Sequence, residues 1–210
     1  MDSRAERGEP AWACNGRFWR LLKKSTGSGQ PKRRVIYMPT WAPRPDLTFS
    51  PLVLFYSRTG TNRIVAKEIA EELGAELSEI LDLKRRSGPI GWLRSGYDAY
   101  RRRLTKIELK VDLMGRDPVV IGTPIWSGRM TPAVRTLLTE NRLEGKKVAF
   151  FSVSAFGRPE SAFEEMSSLA AGAELVATLP LSVKEFKSGT YVEKVKTFVR
   201  LIKDAFQEPS

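Results

Sequence analysis

With 210 residues, of which 41 % are hydrophobic and 28 % charged, the chain fits one globular domain plus an extension. It has no histidine and a single cysteine, Cys14, which excludes Ser-His-Asp triads, histidine bases, histidine metal sites and an internal disulfide. The formal charge of +11 is uneven, at +6 over residues 1–50, −3 over 51–83, +7 over 84–110 and +1 over 111–210, so the sequence is not a DNA or RNA binder from end to end.

Any redox chemistry in a chain without histidine and with one cysteine falls to a bound cofactor. No apolar run reaches the ~18 residues of a membrane span, and no signal-type apolar region precedes the first strand. A cytoplasmic protein is the expectation.

Residues 1–50 have no sustained helical or strand period. They mix charge runs (Lys23-Lys24, Lys32-Arg33-Arg34) with Gly, Ser and Pro, and read as a basic, disordered extension. Its Phe18-Trp19 patch leaves contact with a membrane surface or RNA as the alternative. The domain proper is expected over 51–208.

An apolar run from Leu52 reads as a buried strand over 52–57. It breaks into Ser57-Arg58-Thr59-Gly60-Thr61-Asn62, and a helical pattern starts at or beside Asn62 and runs to Leu73. Ile64, Val65, Ile69 and Leu73 form its stripe, and Gly74 stops it. The first amides of a helix lack intrahelical partners and carry about half a positive charge together. A strand, a hydroxyl-rich turn and a helix start in that order are where open α/β folds place a phosphate, and ordinary helix capping is the other reading of the same residues. The loop has no lysine, so the donors are neutral, with Arg58 and Arg63 as candidate helpers.

Glu76–Leu81 reads as a half-polar edge strand, and Asp117–Gly122 and Lys147–Ser154 as buried strands. Thr131-Pro132 opens a helix with proline in its first turn. Ser161–Ala171 is a helix with Ser161…Glu164 as its capping box, and Leu175–Leu181 is the last strand. A final helix opens at a second box, Thr190…Glu193, and carries Val192, Val195, Val199, Ile202 and Phe206 on one face. Strands and helices thus alternate, which predicts a three-layer α/β domain with a five-stranded parallel sheet.

The basic insert 84–110 places Leu93, Tyr97, Tyr100 and Leu104 on one helical face, with Arg94 and Arg101–Arg103 mostly elsewhere. The reading favoured is a crossover helix packed on the sheet with a solvated basic face. The other is a docking surface for an acidic partner, a phosphorylated nucleotide or anionic lipid.

Two further loops leave strand carboxyl ends. In Gly122-Thr123-Pro124-Ile125-Trp126-Ser127-Gly128, Pro124 and Gly128 bracket a rigid turn that offers backbone donors, and Trp126 needs a flat surface to pack on. Ser154-Ala155-Phe156-Gly157 adds a second aromatic beside a flexible residue. A phosphate turn flanked by aromatic loops is what a planar heterocycle on a phosphorylated chain requires.

Ser57–Asn62 resembles the flavodoxin phosphate loop, usually written S/T-x-T-G-N-T, and Gly122–Gly128 is similar to the second flavin loop of flavodoxin-like proteins. The insert Gly91–Tyr100 looks like a segment of one flavodoxin-like subgroup, and the resemblance spans about Leu52 to Phe206. It implies a flavodoxin-like, doubly wound sheet of strand order 2-1-3-4-5 that holds FMN non-covalently. Ser57, Thr59, Thr61 and the amides about Gly60 then take the phosphate. Thr123–Gly128 line the isoalloxazine, Ser154–Gly157 border its pyrimidine side, and Trp126 or Phe156 stacks on a ring face. Thr61-Asn62 reverses the family's usual order, and the chain lacks the usual acidic character of electron carriers. The function implied is an FMN electron carrier working with a redox partner protein, with no catalytic side chain and no metal. An NAD(P)H-dependent quinone or flavin reductase of the same fold is the alternative, and a non-redox module binding RNA or membrane is the third reading.

Overall fold

The computed structural model describes residues 49–84, 88–155 and 159–207, without the side chains of 88–90 and 92–94. The expected extension up to residue 48, the side chains of Leu93 and Arg94, and Phe156 and Gly157 lie outside the described residues.

Three runs, β1 (Leu52–Phe55), β5 (Val119–Gly122) and β6 (Lys147–Ser154), are buried almost throughout, as central strands of a covered sheet are, while β7 (Glu174–Ser182) alternates buried and exposed residues as an edge strand does. They pair in parallel with β2 (Glu76–Glu79) at the edge, in the order β2-β1-β5-β6-β7. Counted along this sheet alone, that is order 2-1-3-4-5, and the fold is flavodoxin-like.

Alternate side chains of β1 sort into two cores. Val53 and Phe55 meet Val65, Ile69, Phe198 and Val199 from α1 (Thr61–Leu73) and α6 (Tyr191–Gln207). Leu52 and Leu54 meet Val134, Leu137, Phe163 and Met166 from α3 (Pro132–Glu140) and α4 (Glu160–Leu169). Three layers follow from that division. Thr131 stands at the N-cap position of α3 with Pro132 in the first turn, as expected, but its hydroxyl makes no capping bond and lies 3.1 Å from that of Thr123.

Several local expectations are corrected. The edge strand stops at Glu79, Ile80 turns into the core, and β3 (Leu81–Asp82) pairs antiparallel with β4 (Ile107–Glu108) as a separate ribbon. Ile64 is exposed, because the buried arc of α1 runs through Val65, Ala66, Ile69, Ala70 and Leu73. The Ser161…Glu164 box does not form: α4 starts after Pro159 without a side-chain cap, and the Ser161 hydroxyl donates to the Gly128 carbonyl at 3.4 Å. A short helix, α5 (Val183–Ser188), precedes α6 and takes the real box, Ser182 with Glu185. The Thr190 hydroxyl is drawn to the Glu185 carbonyl at 3.4 Å and Ser188 Oγ at 2.9 Å instead of capping α6.

The largest correction concerns α2 (Gly88–Tyr100), none of whose described side chains joins either core of the sheet. Among its described side chains Ser95, Asp98 and Ala99 are buried, whereas Tyr97 and Tyr100 are 52 % and 65 % exposed. The anchor is electrostatic. Asp98 is wholly buried, and Lys84 reaches its carboxylate at 2.7 Å and Arg103 at 3.4 Å. A buried carboxylate needs such partners, and that need outranks the apolar face.

Gly122, at the rim end of β5, has the ring of buried Phe151 where a side chain would go: a Cβ there lies 2.1 Å from Phe151 Cζ. Gly122→Ala is expected to cost about 1–3 kcal/mol by overpacking, read as a lower urea midpoint at constant m-value. Adding Phe151→Leu should recover part of it, and strictly additive losses would show that the ring is not the obstacle.

Candidate functional site

The loops that follow β1, β5 and β6 leave the same rim, because these three parallel strands are neighbours and point the same way. The first is built around Gly60, which caps α1 at φ 88°, a left-handed conformation that glycine adopts without cost. No side chain caps this helix, and its first intrahelical bond runs from Ile64 N–H to the Gly60 carbonyl at 3.1 Å. The amides of Thr61, Asn62 and Arg63 therefore lack intrahelical acceptors. The Thr59 and Thr61 hydroxyls lie 3.4 Å apart beside them. The Ser57 hydroxyl is buried without a hydrogen-bond partner among the described residues. Buried hydroxyls in native proteins are normally satisfied, and an anion held at the open amides of α1 is the kind of acceptor this loop leaves room for.

Arg58 and Arg63 take different courses. Arg63 is not a phosphate helper, since it donates to both carboxylate oxygens of Glu79 at 2.7 and 2.8 Å. Arg58 stays at the cleft, its guanidinium carbon 5.9 Å from the Trp126 ring centroid. The side chain of Asn62 turns inward, and its carbonyl accepts the Val153 amide at 3.2 Å. It fastens the start of α1 to β6, so the Asn62 side chain is committed through its oxygen to the sheet.

In the second loop, Trp126 and Arg129 exchange backbone hydrogen bonds of 2.9 and 3.0 Å around Ser127 (φ 49°) and Gly128 (φ 72°). Two left-handed residues between such bonds make a type I′ turn, a stiff hairpin tip. Thr123 is fully buried beneath it. Its hydroxyl donates to the Pro124 carbonyl at 3.0 Å, accepts the Thr131 amide at 3.2 Å and lies 3.1 Å from the Thr131 hydroxyl. Thr123 therefore shapes the loop from behind. Trp126 leans edge-on against Tyr56, with ring centroids 5.7 Å apart.

The loops enclose a cleft of about 910 Å³. Arg58, Thr59, Thr61 and Asn62 line it from the first loop, Pro124 to Gly128 from the second, and Ser154 and Ala155 from the third. Ser57, Gly60 and Thr123 are not among its lining residues and act as frame. The opposite wall was missed from sequence: Gly96, Tyr97 and Tyr100 of α2 line the cleft, joined by Val153 and by Val183 of α5. Gly96 permits the approach, because a Cβ there would lie 3.2 Å from Ser127 Oγ. The two tyrosines beside that glycine were the available signal.

At the α5 edge, Lys194 first, and then the hydroxyl and amide of Ser182, hold the Glu185 carboxyl down at about 2. Their bonds to it include Ser182 N–H at 2.8 Å and Ser182 O–H at 2.7 Å.

The fold and cleft can be set beside known proteins. No family model matches the chain, and no curated protein matches it in sequence. Solved structures do. A flavoprotein from Bacteroides uniformis superposes with a TM-score of 0.63 at 24% identity, covering 72% of this chain and 98% of that one. A flavoprotein from Lactobacillus acidophilus in complex with FMN gives 0.55 at 23% identity, over 70% and 97%. A flavoprotein from Bacteroides eggerthii gives 0.62 at 20% identity, over 73% and 98%. These likenesses establish the fold that the strand order had defined.

Two outcomes test the site's framework. Asn62→Ala leaves the buried Val153 amide without its acceptor and should cost about 1–3 kcal/mol, measured as a lower denaturant midpoint. An unchanged midpoint would mean that α1 and β6 are fastened elsewhere. For Glu185, a lowered carboxyl pKa means that its stabilisation is fully present above 4.5 and is lost as pH falls toward about 2. Amide exchange over Lys184–Ser188, corrected for intrinsic rate, should accelerate in that window in the native protein. In Glu185→Gln it should be fast at both ends.

Proposed function

We propose that this protein binds FMN non-covalently in the rim cleft and works as a flavin-dependent electron carrier. The observation that carries the reading is the open helix start of α1, with the Thr59 and Thr61 hydroxyls beside it, in a cleft that Trp126, Tyr97 and Tyr100 also line. The FMN-bound flavoprotein from Lactobacillus acidophilus supports it by likeness of fold.

In this reading Ser57, Thr59, Thr61 and the amides following Gly60 hold the phosphate by neutral donors and the partial charge of the helix start. The 124–128 turn supplies backbone donors and Trp126 an aromatic surface to the ring system, while Ser154 and Ala155 border it. FMN, when bound, supplies reversible one- or two-electron uptake. The chain's own part is to orient the ring, exclude water through Ile125, Val153 and Val183, and set the ring's polarity by hydrogen bonding. None of these tasks needs a side-chain acid or base, in keeping with a chain free of histidine.

One observation favours a second reading, an NAD(P)H-dependent quinone or flavin reductase. Tyr97 and Tyr100 are largely exposed while lining the cleft, which suits a second planar molecule entering from that side. NADPH oxidation in the presence of a quinone separates the two readings, since a carrier shows no sustained turnover.

The test of the common claim is a titration. The purified protein should take up FMN with a shifted visible spectrum and release it on denaturation. Thr59→Ala combined with Gly60→Ala should weaken FMN by about tenfold or more, ~1.4 kcal/mol, and riboflavin far less. Equal losses for both ligands would remove the phosphate from this loop, and no uptake at micromolar FMN would end the proposal.

A further inference from the structure

We propose that Glu165 is a positioning residue that latches the two walls of the cleft together and so sets its width for the flavin ring. This inference rests on the FMN reading for its ligand, but not for its geometry.

Glu165 projects from α4, behind the cleft, and its side chain is only 13% exposed. Three arginines from three different segments converge on it. Arg135 of α3, itself 7% exposed, brings Nη2 to 2.8 Å from Oε2. That approach is a close ion pair without hydrogen-bond alignment, so its energy is chiefly coulombic. Arg102, two residues past the end of α2, brings Nε to 2.8 Å from Oε1. Arg129 stands 3.7 Å from the same oxygen.

The two outer arginines belong to the two walls. Arg129 closes the Trp126 turn through its reciprocal backbone bonds. Arg102, two residues past Tyr100, takes the left-handed position (φ 52°) of the turn that ends α2, which the Arg103 N–H also closes on the Asp98 carbonyl at 3.0 Å. Its amide donates to the Ala99 carbonyl at 3.0 Å, and the neighbouring Arg101 amide to Tyr97 at 2.9 Å, so wherever Arg102 is pinned the tyrosine end of α2 is pinned too. One carboxylate oxygen thus draws the aromatic turn and the tyrosine helix toward a common point.

Removing that charge does more than delete two attractions. Three guanidinium groups would share a half-buried space with no counter-charge, and the least buried of them, Arg102, is the one free to leave. The α2 wall would swing out while the sheet rim stays in place. A ligand held by its ring would suffer, whether or not it carries a phosphate.

The experiment uses the full chain and two variants, Glu165→Gln and Arg102→Gln. The second spares the buried Arg135–Glu165 pair and so is expected to fold normally. In the ligand-free protein, both should accelerate amide exchange over residues 97–103, with the β-strand amides of Arg102→Gln left as slow as in the wild type. Affinities for FMN and riboflavin should fall by the same factor, about three- to tenfold for Arg102→Gln, unlike the phosphate-loop variant. Arg102→Lys should restore part of both effects. Unchanged exchange in 97–103 overturns the latch, as does acceleration spread evenly over the chain. A larger loss for FMN than for riboflavin overturns it too. If the wild type takes up no flavin, the FMN reading fails, while the exchange data still decide the role of Glu165.

Discussion

The arrangement depends on a helix that begins without a cap. Gly60 turns left-handed so that α1 can start abruptly at the rim of the sheet, and among the described residues no side chain caps it. Open amides at a helix start are ordinarily closed by a Ser, Thr, Asp or Asn at the cap. Here the loop is rich in such hydroxyls, yet they stand around the amides instead of bonding to them. Asn62 spends its side chain on β6, which fixes the helix start against the central sheet. The result is a rigid concentration of donors whose acceptor must come from outside.

Parallel topology does the rest. Because β1, β5 and β6 are adjacent and co-directional, the loops after them emerge on one side although they lie far apart along the chain. Thr123 clamps the second loop from below and the type I′ turn stiffens its tip, so that Trp126 is presented from a fixed base. A site assembled this way is pre-organised on its sheet side, which lowers the ordering cost of any ligand it accepts.

Much of this was legible in the residues. Unbroken apolar runs marked the central strands, Pro132 marked the start of α3, and the three rim loops were picked out by their content of hydroxyls, glycine and aromatics. What periodicity could not say is which surface a face meets. Tyr97 and Tyr100 share an arc of α2, and an apolar arc reads as core until something places the helix off the sheet. That something is Asp98, buried with Lys84 and Arg103, together with a two-residue ribbon too short to announce itself. The capping boxes failed for a related reason. Ser161…Glu164 and Thr190…Glu193 both have the right letters, but the Ser161 hydroxyl goes to Gly128 and that of Thr190 to the end of α5. A local motif competes with every acceptor that tertiary structure brings near it.

Charge shows the same lesson in another form. The segment 84–110 carries +7, which invites a docking role, yet several of its cations are spent inside the molecule. Lys84 and Arg103 serve Asp98, and Arg102 serves Glu165. These pairs divide the cleft into unequal halves. The sheet-side wall is held by backbone ladders and buried apolar packing, whereas the α2 wall is held by ion pairs, on the buried Asp98 and, through Arg102, on Glu165. The Arg102–Glu165 pair, its guanidinium more than half exposed, contributes little and weakens with salt. The softer wall is therefore the one bearing the exposed tyrosines, and ligand exchange is easiest where the fold is least committed. A cleft that is rigid where it must orient a ring and yielding where something must enter suits a bound planar group that has to be reached repeatedly without being released.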